Sequence, residues 1–140
     1  MEDLLNYGGT NYSTFLRTYS VEGFSGHELE DIVQEAITED VSIDNIRDVS
    51  FAEIDADLRE CLGYEGMIGA GPKDGITGTS EFLDLLESIC KDARAVGECS
   101  LALRSFRFHK GHPGYPVFWD FAYAFVGENK CQILVCSSSD

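Results

Sequence analysis

His109 and His112 stand three positions apart in the segment FHKGHPGYP, with Lys110 between them and Asp120 eight residues further on. Two imidazoles and a carboxylate could run acid–base chemistry near neutral pH or supply part of a metal site. Gly111, Pro113, Gly114 and Pro116 interrupt any regular element here, so the segment reads as a loop between strands. No further ligand stands at a spacing that completes a site. The expectation is therefore of loop histidines that touch a partner, with a small metal-dependent or acid–base hydrolase built on His109, His112 and Asp120 as the alternative. Asp120 itself lies within an aromatic stretch. A carboxylate buried there alone would be very costly, so Arg104 or Arg107 on the preceding strand is its expected cross-strand partner.

Other catalytic patterns are missing. There is no G-x-S-x-G elbow, and the glycine-rich stretch YEGMIGAGPKDGITGTS matches neither the phosphate-loop nor the dinucleotide-binding pattern. Gly69 and Gly71 make only a G-x-G, followed at once by Pro72, and Lys73 is the one cation there. The five cysteines contain no C-x-x-C pair and no zinc-module spacing. Cys61 and Cys90 fall on the apolar stripes of predicted helices, and Cys131 and Cys136 fall in a predicted strand. Reduced, mostly buried thiols are expected. The reading is of a non-enzymatic protein with no cofactor and no metal.

The elements that position these residues can be read from periodicity. Residues 10–19, TNYSTFLRTY, place Tyr12, Phe15, Leu16 and Tyr19 at helical spacing and predict a short helix. Residues 25–39 predict a second. Ser25 and Glu28 form a capping-box pattern, and Leu29, Ile32, Val33, Ala36 and Ile37 share one apolar stripe. Ser50 and Glu53 repeat the box ahead of a helix over 50–62, with Phe51, Ile54, Leu58, Cys61 and Leu62 inward. A further helix runs from Ser80 to Val96, its acids early and Lys91 and Arg94 late, the order that suits the helix dipole. Beyond it, 99–108, 116–126 and 131–136 read as strands, the last two joined by the hairpin GENK. Trp119, Phe121, Tyr123 and Phe125 are expected on one face of the middle strand, and Phe118, Asp120, Ala122 and Ala124 on the other. Helices first and strands after predict a single α+β domain over 1–140, its N-terminal helices packed on a C-terminal antiparallel sheet of about three or more strands.

Charge is the remaining clue. The chain carries 25 Asp and Glu against 10 Lys and Arg, a net of −15, yet 44% of its residues are apolar. That apolar share separates it from disordered acidic chains. Residues 22–65 hold fourteen acids and only Arg47 and Arg59, so 2 − 14 = −12 of the net charge lies in this segment. Such a field repels nucleic-acid phosphate and anionic membrane alike, so neither is expected as a direct partner. Concentrated charge favours a basic protein partner, such as a nuclease whose phosphate site would be blocked by carboxylates. Glu28, Asp31, Glu35, Glu39, Glu53, Asp57 and Glu60 lie off the apolar stripes and are the candidate contact residues.

The C-terminal segment GYPVFWDFAYAFVGENKCQILVCSSSD, residues 114–140, resembles the ending of small bacterial immunity proteins that accompany polymorphic or contact-dependent toxins. An aromatic strand, a short hairpin, a hydrophobic strand and a terminal SSSD carry the resemblance, which extends to no motif upstream. It implies an intracellular, non-catalytic inhibitor of one toxin and assigns no binding residue. A phage-encoded inhibitor of a host nucleic-acid machine would have the same physics. MEDLLNYGG has neither the basic start nor the apolar stretch of an export signal, and no apolar run nears the ~20 residues of a membrane span. The expected location is the cytoplasm.

Overall fold

The computed structural model describes residues 1–24 and 26–139. In chain order they form α1 (Glu2–Asn6), β1 (Ser13–Glu22), α2 (Leu29–Ala36), β2 (Ser42–Asp48), α3 (Phe51–Leu62), α4 (Ser80–Glu98), β3 (Ala102–Lys110), β4 (Trp119–Val126) and β5 (Lys130–Ser139). The five strands make one antiparallel sheet in the order β1-β5-β4-β3-β2. The class is α+β, with the helices mostly N-terminal and three consecutive strands closing the chain.

Alternation along the central strands puts a core on each side of the sheet. Phe121, Tyr123, Phe125, Leu134 and Cys136 point to one face, where Leu5 of α1, Ile54, Leu58 and Leu62 of α3, and Phe82, Leu86 and Cys90 of α4 bury them. Ala122, Ala124, Cys131, Ile133 and Val135 point to the other, beneath Leu29, Ile32 and Val33 of α2. Small alanines under α2 and large aromatics under α3 and α4 keep both layers filled. Each fully buried leucine or isoleucine contributes about 1.5–3 kcal/mol.

Local signals explain most helix ends. The Ser50 hydroxyl accepts from the Glu53 N–H, and the Glu53 carboxylate accepts from the Ser50 N–H, completing the predicted capping box. Thr79 caps α4 by accepting from Phe82 N–H at 3.3 Å. Ser25 of the box expected for α2 lies outside the described residues; α2 starts at Leu29 with Glu28 in the N-cap position and is shorter than the 25–39 expected. The GENK hairpin is present, closed by Gly127 N–H to Lys130 C=O at 2.9 Å.

Two strands replace what periodicity suggested. The segment expected as a helix over 10–19 is largely β1. Its aromatics looked helical because β1 is partly covered on both faces: Leu16 joins the α3–α4 side, and Phe15 and Tyr19 the α2 side. Its β-branched and aromatic content, Thr14, Phe15, Thr18, Tyr19 and Val21, suits a strand. The other strand, β2, was not foreseen. It is an edge strand, mostly exposed, and its register slips between Asp44 and Arg47. Asn45 takes φ +52° there, and the extra residue breaks the alternation that would announce a strand. Phe118 precedes β4 and packs against Tyr12 and Tyr64, at 5.9 and 6.1 Å between ring centroids, instead of joining the Ala122 face.

Both sheet edges are partly occupied by side chains. Asn6 reads Thr14 on β1, accepting its N–H at 2.6 Å and donating to its C=O at 3.1 Å, while Glu2 accepts from Leu16 N–H at 2.6 Å. On β2, Glu30 accepts from Ile43 N–H at 3.1 Å. These bonds satisfy backbone groups that an open edge would offer to another chain.

Candidate functional site

The fold sorts the fourteen acids of residues 22–65 by whether a cation reaches them. Those of β2 and its approach face the basic residues of β3: Asp48 pairs with Arg104 at 3.2 Å, and Asp44 and Asp40 lie 4.0 and 3.9 Å from His109 and Lys110. In α3, Glu53 pairs with Arg47 at 2.8 Å, and Asp55 with Arg59 at 2.8 Å; Arg59 also reaches Glu87 of α4 at 2.6 Å. Both arginines of the acidic segment are therefore engaged internally. Ser50 and Arg47 together pull the Glu53 carboxyl down to about 2, the backbone hydrogen bond from Ser50 contributing most.

The seven candidate contact acids consequently divide. Glu53 has Arg47 and the cap. Asp57 is half-buried and accepts the Tyr123 hydroxyl proton. Glu28, Asp31, Glu35, Glu39 and Glu60 are exposed and make no ion pair among the described residues. Four of these five belong to α2 or its flanks. The two acidic helices do not form one slab, because α2 packs on one side of the sheet and α3 on the other. The β2 edge, where Asp48 pairs with Arg104, lies between them in sequence.

His109, His112 and Asp120 do not assemble into an acid–base constellation. His109 is exposed beside Asp44. The His112 ring packs edge-on against Phe108 at 4.7 Å, and its Nδ1 accepts from Gly114 N–H at 2.9 Å. That acceptance puts the neutral-ring proton on Nε2, a buried atom with no hydrogen-bond partner among the described residues. Burial pushes the His112 imidazole below its usual range, against a smaller opposing pull from Asp120. Asp120 is exposed, and the expected ion pair is absent: Arg104 is engaged by Asp48, and neither Arg107 nor Asp120 makes an ion pair among the described residues. Exposure removes the desolvation cost that called for a partner. Among the described residues, no three His, Cys, Asp or Glu side chains are grouped to hold a metal ion.

One arrangement was not visible in the sequence. A cleft of ≈ 410 Å³ between α3 and the β2–β3–β4 end of the sheet is lined by Arg47, Asp57, Ser105, Arg107, Asp120 and Tyr123. Tyr123 is 2% exposed, and burial together with Asp57 holds its phenol well above the ordinary range. The cleft unites Asp57 and Asp120, which belong to separate candidate sets. Residues 57 and 123 are too far apart in sequence for any local pattern to pair them.

The five cysteines are free. Cys90, Cys131 and Cys136 are buried, Cys61 is half-buried and Cys99 is exposed. Burial raises the Cys61 thiol to about 12 and those of Cys90 and Cys131 to about 11, which makes them poor nucleophiles. Among the described residues, no helix is long and apolar enough to cross a membrane. No protein-family model, curated protein or solved structure matches the chain.

Proposed function

We propose that this protein is a cytoplasmic, non-catalytic inhibitor of the immunity type, which binds a basic toxin domain such as a nuclease through the acidic outer face of α2. The observation that supports the reading is the unequal neutralisation of the acidic segment. Asp48, Glu53 and Asp55 have arginine partners within the fold and Asp40 lies 3.9 Å from Lys110, whereas Glu28, Asp31, Glu35 and Glu39 make no ion pair among the described residues. The apolar stripe of α2 is buried, so these acids are not needed for the core. An uncompensated field of this kind accelerates encounter with an opposite charge by about 10–10³-fold. Glu60 is the corresponding free acid of α3, while Glu53 and Asp57 are tied into the fold.

The test is association kinetics with the protein that co-purifies from the native host. Reversing Asp31 and Glu35 to Lys should slow association at low salt at least tenfold and flatten its dependence on ionic strength. Reversal of Lys130, at the β4–β5 hairpin, is the control. Unchanged rate and salt slope in the α2 variant would show that these acids only solvate the helix.

A further inference from the structure

The glycine-rich connection between α3 and α4 ends in a built feature that the acidic face does not explain. Met67 and Ala70 exchange both backbone hydrogen bonds, N–H of Met67 to C=O of Ala70 at 2.7 Å and N–H of Ala70 to C=O of Met67 at 3.0 Å. Ile68 and Gly69 form the two-residue tip, and Gly69 takes φ +85°, as the third residue of a type II turn does. The turn is tied down from outside. Thr10 and Gly71 exchange a second pair of bonds, both 2.9 Å, and Asn11 Nδ2 donates to Gly69 C=O at 3.3 Å. Gly66 and Gly71 pack backbone to backbone so closely that a Cβ on Gly66 would collide with the Gly71 Cα.

This rigid support presents apolar side chains to water. Ile68 is fully exposed and Met67 is 60% exposed. Neither contributes to either core cluster. An exposed apolar residue on a mobile loop needs no explanation, but here five backbone or side-chain hydrogen bonds hold one outward. A side chain fixed in advance loses little conformational freedom when it is captured, which is how hot-spot anchors reach high affinity.

We propose that the Met67–Ile68 tip is a preformed anchor that inserts into an apolar pocket, rimmed by lysine or arginine, on a protein partner. Charge selects that occupant. Exposed Glu65 and Asp74 flank the turn in sequence against the single exposed cation Lys73, and two copies of this chain, each of net charge −15, repel one another. The inference rests on the reading that the chain binds a basic protein, and adds where the apolar contact lies: the acids steer and the tip holds.

The experiment has two stages. A photo-crosslinking amino acid is placed at position 68, and as a control at position 130, in the full chain expressed in its native host. The species captured at 68 and not at 130 is then purified and titrated against the unlabelled protein. Ile68→Asp should weaken binding by about 30-fold or more, mainly through faster dissociation, with thermal stability unchanged because the side chain touches no core. Ile68→Leu should stay within about threefold of the parent, as an apolar pocket tolerates a similar volume. Capture of a partner whose affinity is indifferent to Ile68→Asp overturns the anchor, as does the lack of any adduct specific to position 68. Loss of affinity in Ile68→Asp, with Asp31→Lys/Glu35→Lys leaving rate and salt slope unchanged, keeps the anchor and removes the acidic-face reading. The reverse pattern removes the anchor alone.

Discussion

Replacing Tyr123 with Phe isolates the polar link between α3 and the sheet. The ring of Tyr123 is buried and packs 5.6 Å from that of Phe121, so deleting one oxygen leaves the apolar contacts in place. What is lost is the hydrogen bond to Asp57. Bonds to a charged group contribute about 1.5–3 kcal/mol. Asp57 is half-buried, so water can replace part of the loss and the lower half of that range is expected. For a chain of this size that lowers the melting temperature by about 5–10 °C. Urea unfolding of Tyr123→Phe, Asp57→Asn and the double variant should give a coupling energy of about 1 kcal/mol or more, with an unchanged denaturant slope. The phenol adds a pH signature. Its folded-state pKa lies above its ordinary value of 10.0, so above pH 10 the native state holds more protons than the unfolded state. Stability conferred below pH 10 is then lost as pH rises toward the folded pKa, and Tyr123→Phe should lack that alkaline step. A Tyr123→Phe variant within about 0.5 kcal/mol of the parent, with no coupling to Asp57, would refute the assignment of this bond as a structural tie.

Three further outcomes follow from burial and hydrogen bonding. Leu58 is completely buried between α3, α4 and the sheet, so Leu58→Ala should cost about 2–5 kcal/mol by chemical denaturation. The Thr14 hydroxyl is buried beside the buried Tyr12 phenol, so Thr14→Val, which removes one polar partner and leaves the other, should cost about 1–3 kcal/mol in the same assay. His112 is held neutral with a lowered folded-state pKa; the unfolded chain therefore binds its proton first, and stability present above pH 6.5 should fall as pH drops below that value. His112→Asn should flatten that portion of a stability–pH profile.

Much of the architecture can be argued from the sequence alone because it is set within one or two turns of chain. The Ser50–Glu53 box, the α3 stripe, the GENK hairpin and the alternation of β4 all follow from period and cap chemistry, and each is found in place. The α+β class follows from their order. The concentration of charge in residues 22–65 is likewise a property of composition. What only the tertiary structure decided depends on partners distant in the chain. β1 resembled a helix because a strand covered on both faces loses its period of two, and β2 was hidden because its bulge shifts the pattern at Asn45. Asp120, expected to need an arginine, lies in solvent where no partner is required. Asp57 appeared to be a free surface acid until the sheet brought Tyr123 beneath it, 66 residues away. Which carboxylates remain unpaired is decided in the same way: β3 supplies Arg104 to Asp48 of β2 across the ladder, while the outward acids of α2, on the far side of the sheet from α3 and α4, meet no cation among the described residues. Local sequence specifies where charge and apolar surface are made, and the long-range pairing of strands and helices decides which of it is left facing outward.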